Sequence, residues 1–295
     1  MSNKSLELLN SKNWQDYELL DSGNGQKLER FGQLIFVRPD SQAIWPPRLP
    51  QTDWQKASAI FETGEKERGG WKYHSQFTRR FKMQYQELTF FAEPTPFRHL
   101  GVFPEQAPHW DFISEKISRT KRSIRVLNLF GYTGLASLMA ASAGAEVVHV
   151  DASKTSITWA RENQKLSGLE KSVIRFIEDD ALKFVRREIK RGNYYDGIIM
   201  DPPKFGRGPK GEIWKFEGLF PTLLAECVKI LSSKPLFFII TSYASEISAL
   251  SLGNALKTAL QTDDSQIVSG ELANQETSTG RLLSEARFAR FDGHS

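Results

Sequence analysis

The stretch IRVLNLFGYTGLASLMAASAGAEVVHVDAS (residues 124–153) decides the fold. Residues 124–130 are a short, largely apolar run without strict alternation, the pattern of a strand covered on both faces. Residues 135–143 read as a helix, and Gly144 follows at the place where a left-handed residue closes a helix C-terminus. A second apolar run, 145–153, comes at once. Strand, helix and strand in this order predict parallel strands with helices packed on the sheet.

The same rhythm extends outward. An apolar pattern through Ile157, Trp159, Ala160 and Leu166 ends at Gly168 and predicts a second helix. Residues 172–180, 194–201 and 235–242 read as third, fourth and fifth strands, with a helix over 181–191 and helical sequence after the others. Residues 265–273 and 285–291 read as two further strands, a closing antiparallel hairpin. The expected class is therefore α/β, a Rossmann-like seven-stranded, mostly parallel sheet. Before it lies a region rich in aromatic residues, Gly and Pro, with strand-like segments at 27–39 and 79–92 and breaks at Pro46-Pro47, Pro50 and Gly69-Gly70. This predicts a small mostly-β domain over 1–97, followed by the α/β domain over 98–295.

Composition narrows the class. With 295 residues, 40% hydrophobic and 25% charged, the chain can bury one large or two modest cores, which excludes a disordered or fibrous protein. One cysteine, Cys227, permits neither an internal disulfide nor a paired-cysteine zinc or redox motif, and points to a reducing compartment. The longest apolar stretch, 236–240, is far short of the roughly 20 residues of a membrane helix, and the first residues show no apolar block before a cleavage site. The expectation is a soluble cytoplasmic protein. A net charge of +4 does not by itself establish nucleic-acid binding, but the basic excess is concentrated in residues 111–222, with 19 basic and 14 acidic groups.

In open α/β sheets ligands bind where strands end, so the residues leaving each strand carry the chemistry. The first exits into Asn128-Leu129-Phe130-Gly131-Tyr132-Thr133-Gly134, a tight turn whose following helix offers free backbone N–H groups. Its Gly131-x-x-Gly134 spacing lacks the extra glycine that a dinucleotide pyrophosphate requires, whereas S-adenosylmethionine presents only a carboxylate and an ammonium there. The second strand ends at Asp151, placed to accept ribose hydroxyls or to cap the helix starting near Ser153. The third leads to Asp179-Asp180-Ala181. Asp180 is the candidate for an adenine amine, with Ala181 a small surface for the ring and Asp179 a solvated or capping group. The fourth exits into Asp201-Pro202-Pro203-Lys204-Phe205, a restricted turn whose acceptors suit a planar amine. Lys204 either holds substrate or is solvated, and Phe205 either stacks on a base or packs in the core.

Together these four motifs resemble the class I S-adenosylmethionine-dependent methyltransferases, most closely the branch of bacterial large-subunit ribosomal RNA cytosine and guanine methyltransferases. The resemblance spans roughly residues 98–295 and includes His99-Leu-Gly-Val-Phe-Pro-Glu-Gln106, similar to a segment that covers the cofactor in that branch. It implies S-adenosyl-L-methionine as cofactor, with contacts from Phe130, Gly131, Tyr132, Thr133, Asp151, Ala152 and Asp180, and from Phe103 and Gln106. Asn128, Gly134, Ser153, Ala181 and Asp201 complete the candidate cofactor set. Asp201, Pro202, Pro203 and Lys204 form the candidate catalytic corner.

Two features shape the expected reaction. Cytosine-C5 methylation needs a cysteine nucleophile. Members doing that chemistry resemble one another in carrying it after the fifth strand, where this chain reads Thr241-Ser242-Tyr243. Cys227 falls on the apolar face of a helix with Leu223, Leu224, Val228 and Leu231. The N-terminal region also lacks an obvious RNA-binding domain of the kind some relatives carry. Direct transfer to a nitrogen or oxygen is expected, with RNA, chiefly ribosomal RNA, as the acceptor. An NAD-dependent oxidoreductase and a non-catalytic S-adenosylmethionine- or RNA-binding relative are the alternatives. Residues 206–216 read either as a mobile flap that clamps a phosphate backbone and stacks a base or as an ordinary exposed loop, and the basic-aromatic segments 71–74 and 79–82 either as an RNA-facing surface or as core packing with solvated charges. The five histidines, His74, His99, His109, His149 and His294, show no zinc-ligand spacing, so no metal is expected, and His149 reads as structural.

Overall fold

The computed structural model describes residues 5–11, 14–64, 69–243 and 246–293, so His294 lies outside the described residues. Strand β1 (Glu7–Asn10) is followed by β2 (Tyr17–Gly23), β3 (Gln26–Phe31) and β4 (Leu34–Pro39), then by a single turn of helix, α1 (Gln51–Trp54), and by β5 (Ala59–Glu62) and β6 (Gly70–Tyr73). Strands β2 to β6 form a five-stranded sheet in chain order, antiparallel except for the β4–β5 pair. The β2–β3 connection is Asn24-Gly25 with φ of 52° and 75°, the two left-handed residues a tight hairpin requires. Strands β7 (Phe81–Tyr85) and β8 (Leu88–Ala92) make a separate hairpin.

The second half alternates as its sequence predicts: α2 (Ala107–Ser118), β9 (Arg125–Leu129), α3 (Leu135–Ser142), β10 (Glu146–Asp151), α4 (Lys154–Leu166), β11 (Ile174–Glu178), α5 (Ala181–Arg191) and β12 (Gly197–Met200). A short hairpin of β13 (Phe205–Arg207) and β14 (Ile213–Lys215) comes next, then α6 (Phe216–Val228), β15 (Phe237–Ser242), α7 (Ala249–Leu260), β16 (Ile267–Gln275) and β17 (Leu282–Asp292). The main sheet runs β1-β16-β17-β15-β12-β9-β10-β11. Its central pairs are parallel, and β17 lies antiparallel to β15. The six residues joining β16 to β17 are too few for a crossover, so these neighbours form the closing hairpin. The seven expected strands are present, and β1 adds an eighth at the edge. Its four residues, paired with a strand some 260 positions later, carry no periodic signal of their own.

Burial explains the strand sequences. β12 and β15 are buried at every position, and their apolar side chains pack between helices on the two faces. Strand order reverses between β9 and β12, which places the crevice at their carboxyl ends.

Two compact units are delimited. The larger comprises 1–9, 108–272 and 286–295, and the smaller 10–107 and 273–285. These limits differ from the 1–97 and 98–295 division expected from sequence. The smaller unit continues ten residues further and also takes the tip of the β16–β17 hairpin, a long-range partnership that no local composition change marks.

The smaller unit buries charge as well as apolar surface. One face of β3 and β4 puts Leu28 and Val37 against Trp54 and Ala57. On the opposite face Glu29 is fully buried and receives a two-pronged bond from Arg38, Nε to Oε2 and Nη2 to Oε1 at 2.7 Å each, and a third from the Tyr17 hydroxyl at 2.9 Å. Lys27 is bound by Glu285 at 2.6 Å and lies 3.2 Å from Asp40. Burial alone would raise the Glu29 carboxyl, but Arg38 and Lys27 hold it below the ordinary value. Removing one member of such a cluster strands a buried charge, so Arg38→Met is expected to lower the unfolding free energy by about 3–5 kcal/mol in urea titration. A loss below about 1 kcal/mol would show the cluster to be effectively solvated.

Candidate cofactor and acceptor site

The turn leaving β9 is held by its neighbours on β10. Asn128 donates from its side-chain amide to Ser137 Oγ at 2.9 Å, and Ser137 Oγ lies 3.0 Å from His149 Nδ1. Burial keeps His149 neutral, its pKa pushed down to about 3, in line with a structural role. A Cβ on Gly131 would sit 2.4 Å from His149 Cε1, so no larger residue fits without moving the ring or the turn. Gly134 has φ +92°, and a Cβ there would meet the Ala160 Cβ at 2.9 Å. Phe130 and Tyr132, on either side of Gly131, are themselves left-handed, with φ of 57° and 49°. Two such residues cost about 1–3 kcal/mol each and persist only when the surroundings fix them.

Asp151 supplies much of that fixing. Its Oδ2 accepts the Tyr132 amide and its Oδ1 the Ser153 amide, both at 2.8 Å, while the Gly131 amide donates to the Val150 carbonyl at 3.1 Å. Burial raises the Asp151 pKa, and the two amide bonds oppose that rise. Ser153, not Asp151, caps α4, accepting from the Ser156 amide. Asn163 of α4 donates to the Thr133 carbonyl at 2.9 Å. Ala152 is half-buried beside these groups.

At the end of β11 the capping role expected of Asp179 falls to its neighbour. Asp180 caps α5, accepting the Lys183 amide at 2.9 Å. Asp179 accepts the Asp180 amide and pairs with Arg187. Asp180 therefore keeps one oxygen in the helix cap, a commitment its position alone did not reveal. Ala181 is buried as the first residue of α5.

After β12, Asp201 is half-buried, Pro202 buried, and Pro203 and Lys204 exposed. The Pro203 carbonyl accepts the Trp214 indole N–H at 2.6 Å and the Lys204 carbonyl accepts the Phe216 amide at 3.0 Å. Residues 206–216 are thus not an open loop: β13 and β14 pair Phe205 with Lys215, Gly206 with Trp214 and Arg207 with Ile213. Trp214 is buried and its ring lies 5.0 Å from Phe130, so one side chain touches both the β9 turn and the diproline corner. Glu212 at the hairpin end pairs with Lys183 of α5 at 2.5 Å. Phe205 is 53% exposed, which removes the core-packing alternative.

Ser137 and Asn163 are not marked as site residues by the sequence, and Trp214 is marked only as part of the 206–216 segment. Their signals are single polar or aromatic residues in ordinary helices or loops, legible only once the strand ends are brought together. Phe103 and Gln106 belong to the smaller unit, where Phe103 precedes a short 3-10 turn and its ring lies 5.0 Å from that of His99. Cys227 is fully buried in α6, and burial pushes its thiol up. Among the described residues no group of three or more His, Cys, Asp or Glu is placed to hold a metal, and no helix is long and apolar enough to cross a membrane.

Comparison with known proteins agrees with this geometry. A family model for S-adenosylmethionine-dependent methyltransferases matches residues 111–218. The crystal structure of the SAM-dependent methyltransferase from Agrobacterium tumefaciens is 43% identical and superposes with a TM-score of 0.92 over 97% of this chain and 93% of that one. Ribosomal RNA large subunit methyltransferase K/L of Shewanella baltica (strain OS195) is 32% identical over 207 residues, 69% of this chain and 27% of its own length. Ribosomal RNA large subunit methyltransferase I of Aeromonas salmonicida (strain A449) is 42% identical over 92 residues, 31% of this chain and 23% of that protein. The chain thus spans about a quarter of the length of these curated relatives. None of these matches supports the NAD-dependent oxidoreductase alternative, and the short glycine spacing of the β9 turn is the physical reason against it. With the glycine turn, the acidic strand ends and the diproline corner all following the carboxyl ends of neighbouring parallel strands, and a relative matched over nearly its whole length, the chain belongs to the S-adenosylmethionine-dependent methyltransferases.

Proposed function

We propose that the protein methylates a nitrogen of an RNA base, with ribosomal RNA as the acceptor and the cytoplasm as its place of action. The observation that carries this reading is the Asp201-Pro202-Pro203 corner, tied through Trp214 to the turn that begins at Phe130. The names of the curated relatives support the RNA class.

The donor set fits the cofactor. Asp151 is a carboxylate at a strand tip with lone pairs beyond its two amide bonds, suited to ribose hydroxyls. Ala181 and Ala152 are small, Asp180 has a second oxygen for an adenine amine, and the amides of the 130–134 turn suit a carboxylate. When bound, S-adenosylmethionine supplies a methyl group activated by a sulfonium. The chain's own task is alignment: the Asp201 carboxylate and the Pro202 carbonyl orient the acceptor amine, and Lys204 holds the substrate. Alignment of this kind can contribute about 7–11 kcal/mol. A C5 mechanism finds no support, because the residues leaving β15 include no thiol and Cys227 is sealed in a helix core.

Transfer of radiolabelled methyl groups into RNA, with mass spectrometry of ribosomal RNA from a strain lacking the protein, tests the acceptor. Asp201→Ala is expected to reduce turnover by at least about 100-fold while S-adenosylmethionine affinity stays within severalfold, and Asp151→Ala to do the reverse. Full turnover in Asp201→Ala would remove that residue from the acceptor site. Trp214→Phe keeps a ring beside Phe130 and loses the bond to the Pro203 carbonyl. It should lower kcat about tenfold, the worth of one hydrogen bond, with cofactor affinity unchanged in calorimetric titration.

A further inference from the structure

The β13–β14 hairpin has two faces of opposite character. Gly206 and Trp214 are directly paired and point inward, where Trp214 is buried. Directly paired residues share a face, so Phe205 with Lys215, and Arg207 with Ile213, form the outward one. All four are exposed, Phe205 at 53% and Ile213 at 57%. The face begins two residues after Pro203, and residues 204–215 carry Lys204, Arg207, Lys210 and Lys215 against a single carboxylate, Glu212. That carboxylate is turned to internal use, Oε1 on Lys183 and Oε2 on the Lys210 amide. The outward face therefore combines an aromatic ring and an aliphatic side chain with uncompensated positive charge.

We propose that this face is a docking surface for single-stranded RNA next to the methyl acceptor, with Phe205 stacked on an unpaired base and Arg207 and Lys215 on flanking phosphates. A ring set between cations matches the alternation of base and phosphate along an unpaired strand. A duplex would present its bases to the ring only after melting. The anchors on the hairpin, the buried Trp214 on the Pro203 carbonyl and the surface pair of Lys183 with Glu212, keep the strand in register with the acceptor corner. The inference rests on the RNA reading above and adds the surface that selects unpaired substrate.

The test uses the full chain, a fluorescein-labelled mixed-sequence oligoribonucleotide of about 12 nucleotides and methyl transfer into RNA, at several salt concentrations. Phe205→Ala should weaken binding about tenfold at every salt concentration without altering the salt slope, and Phe205→Trp should restore it. Arg207→Ala with Lys215→Ala should reduce the slope of log affinity against log salt by about 1.4, two single-strand phosphate contacts. Cofactor affinity and unfolding midpoint should match the parent, since these side chains are exposed. Parent-like affinity and slope in these variants, while the parent binds and methylates RNA, would overturn the surface and leave the RNA reading intact. A parent that neither binds nor methylates RNA would overturn both. Label entering the protein fraction of an extract, with the same variants defective, would reassign the face to a protein acceptor.

Discussion

The Asp151 carboxylate, shared between the amides of Tyr132 and Ser153, is the contact on which the rest of the site depends. It joins the turn leaving β9 to the tip of β10, and so fixes a segment that would not hold its shape alone. Phe130 and Tyr132 both occupy the left-handed region, and the strain is balanced by bonds from Asp151, the Val150 carbonyl and Asn163. Gly131 belongs to the same arrangement, since the His149 ring fills the space where its side chain would be.

Trp214 makes a second link. Its indole bond to the Pro203 carbonyl and its ring contact with Phe130 make the diproline corner and the turn leaving β9 one packed unit. A hydrogen bond to a proline carbonyl is well chosen here: two successive prolines offer no donors of their own, so their acceptors are available to side chains. The short hairpin carrying Trp214 is consequently part of the site's framework on one face and open to solvent on the other.

The smaller unit follows a different logic. Glu29, Arg38, Lys27 and Glu285 lie buried where alternation would have placed solvated charge, because the tip of the β16–β17 hairpin belongs to that unit and brings Glu285 to Lys27. Buried charge of this kind confers little net stability over a well-packed apolar substitute, but it penalises any register in which the partners are separated. The cluster thereby ties the identity of the strand pairing to a segment more than 200 residues away.

The sequence by itself determined the order of strands and helices, the turn at 128–134, the acidic ends at Asp151 and Asp179-Asp180 and the corner at 201–205, because each rests on local periodicity or on residues with restricted backbone choices. Only the tertiary structure decided which aspartate caps α5, that the carboxyl of Asp151 braces the turn, that 206–216 is a hairpin and that β1 and the tip of the C-terminal hairpin join distant partners. These outcomes turn on which side chain occupies which lone pair or sheet edge. That is settled by residues far apart in the chain, among them Trp214, Asn163 and Glu285, whose positions no local pattern encodes.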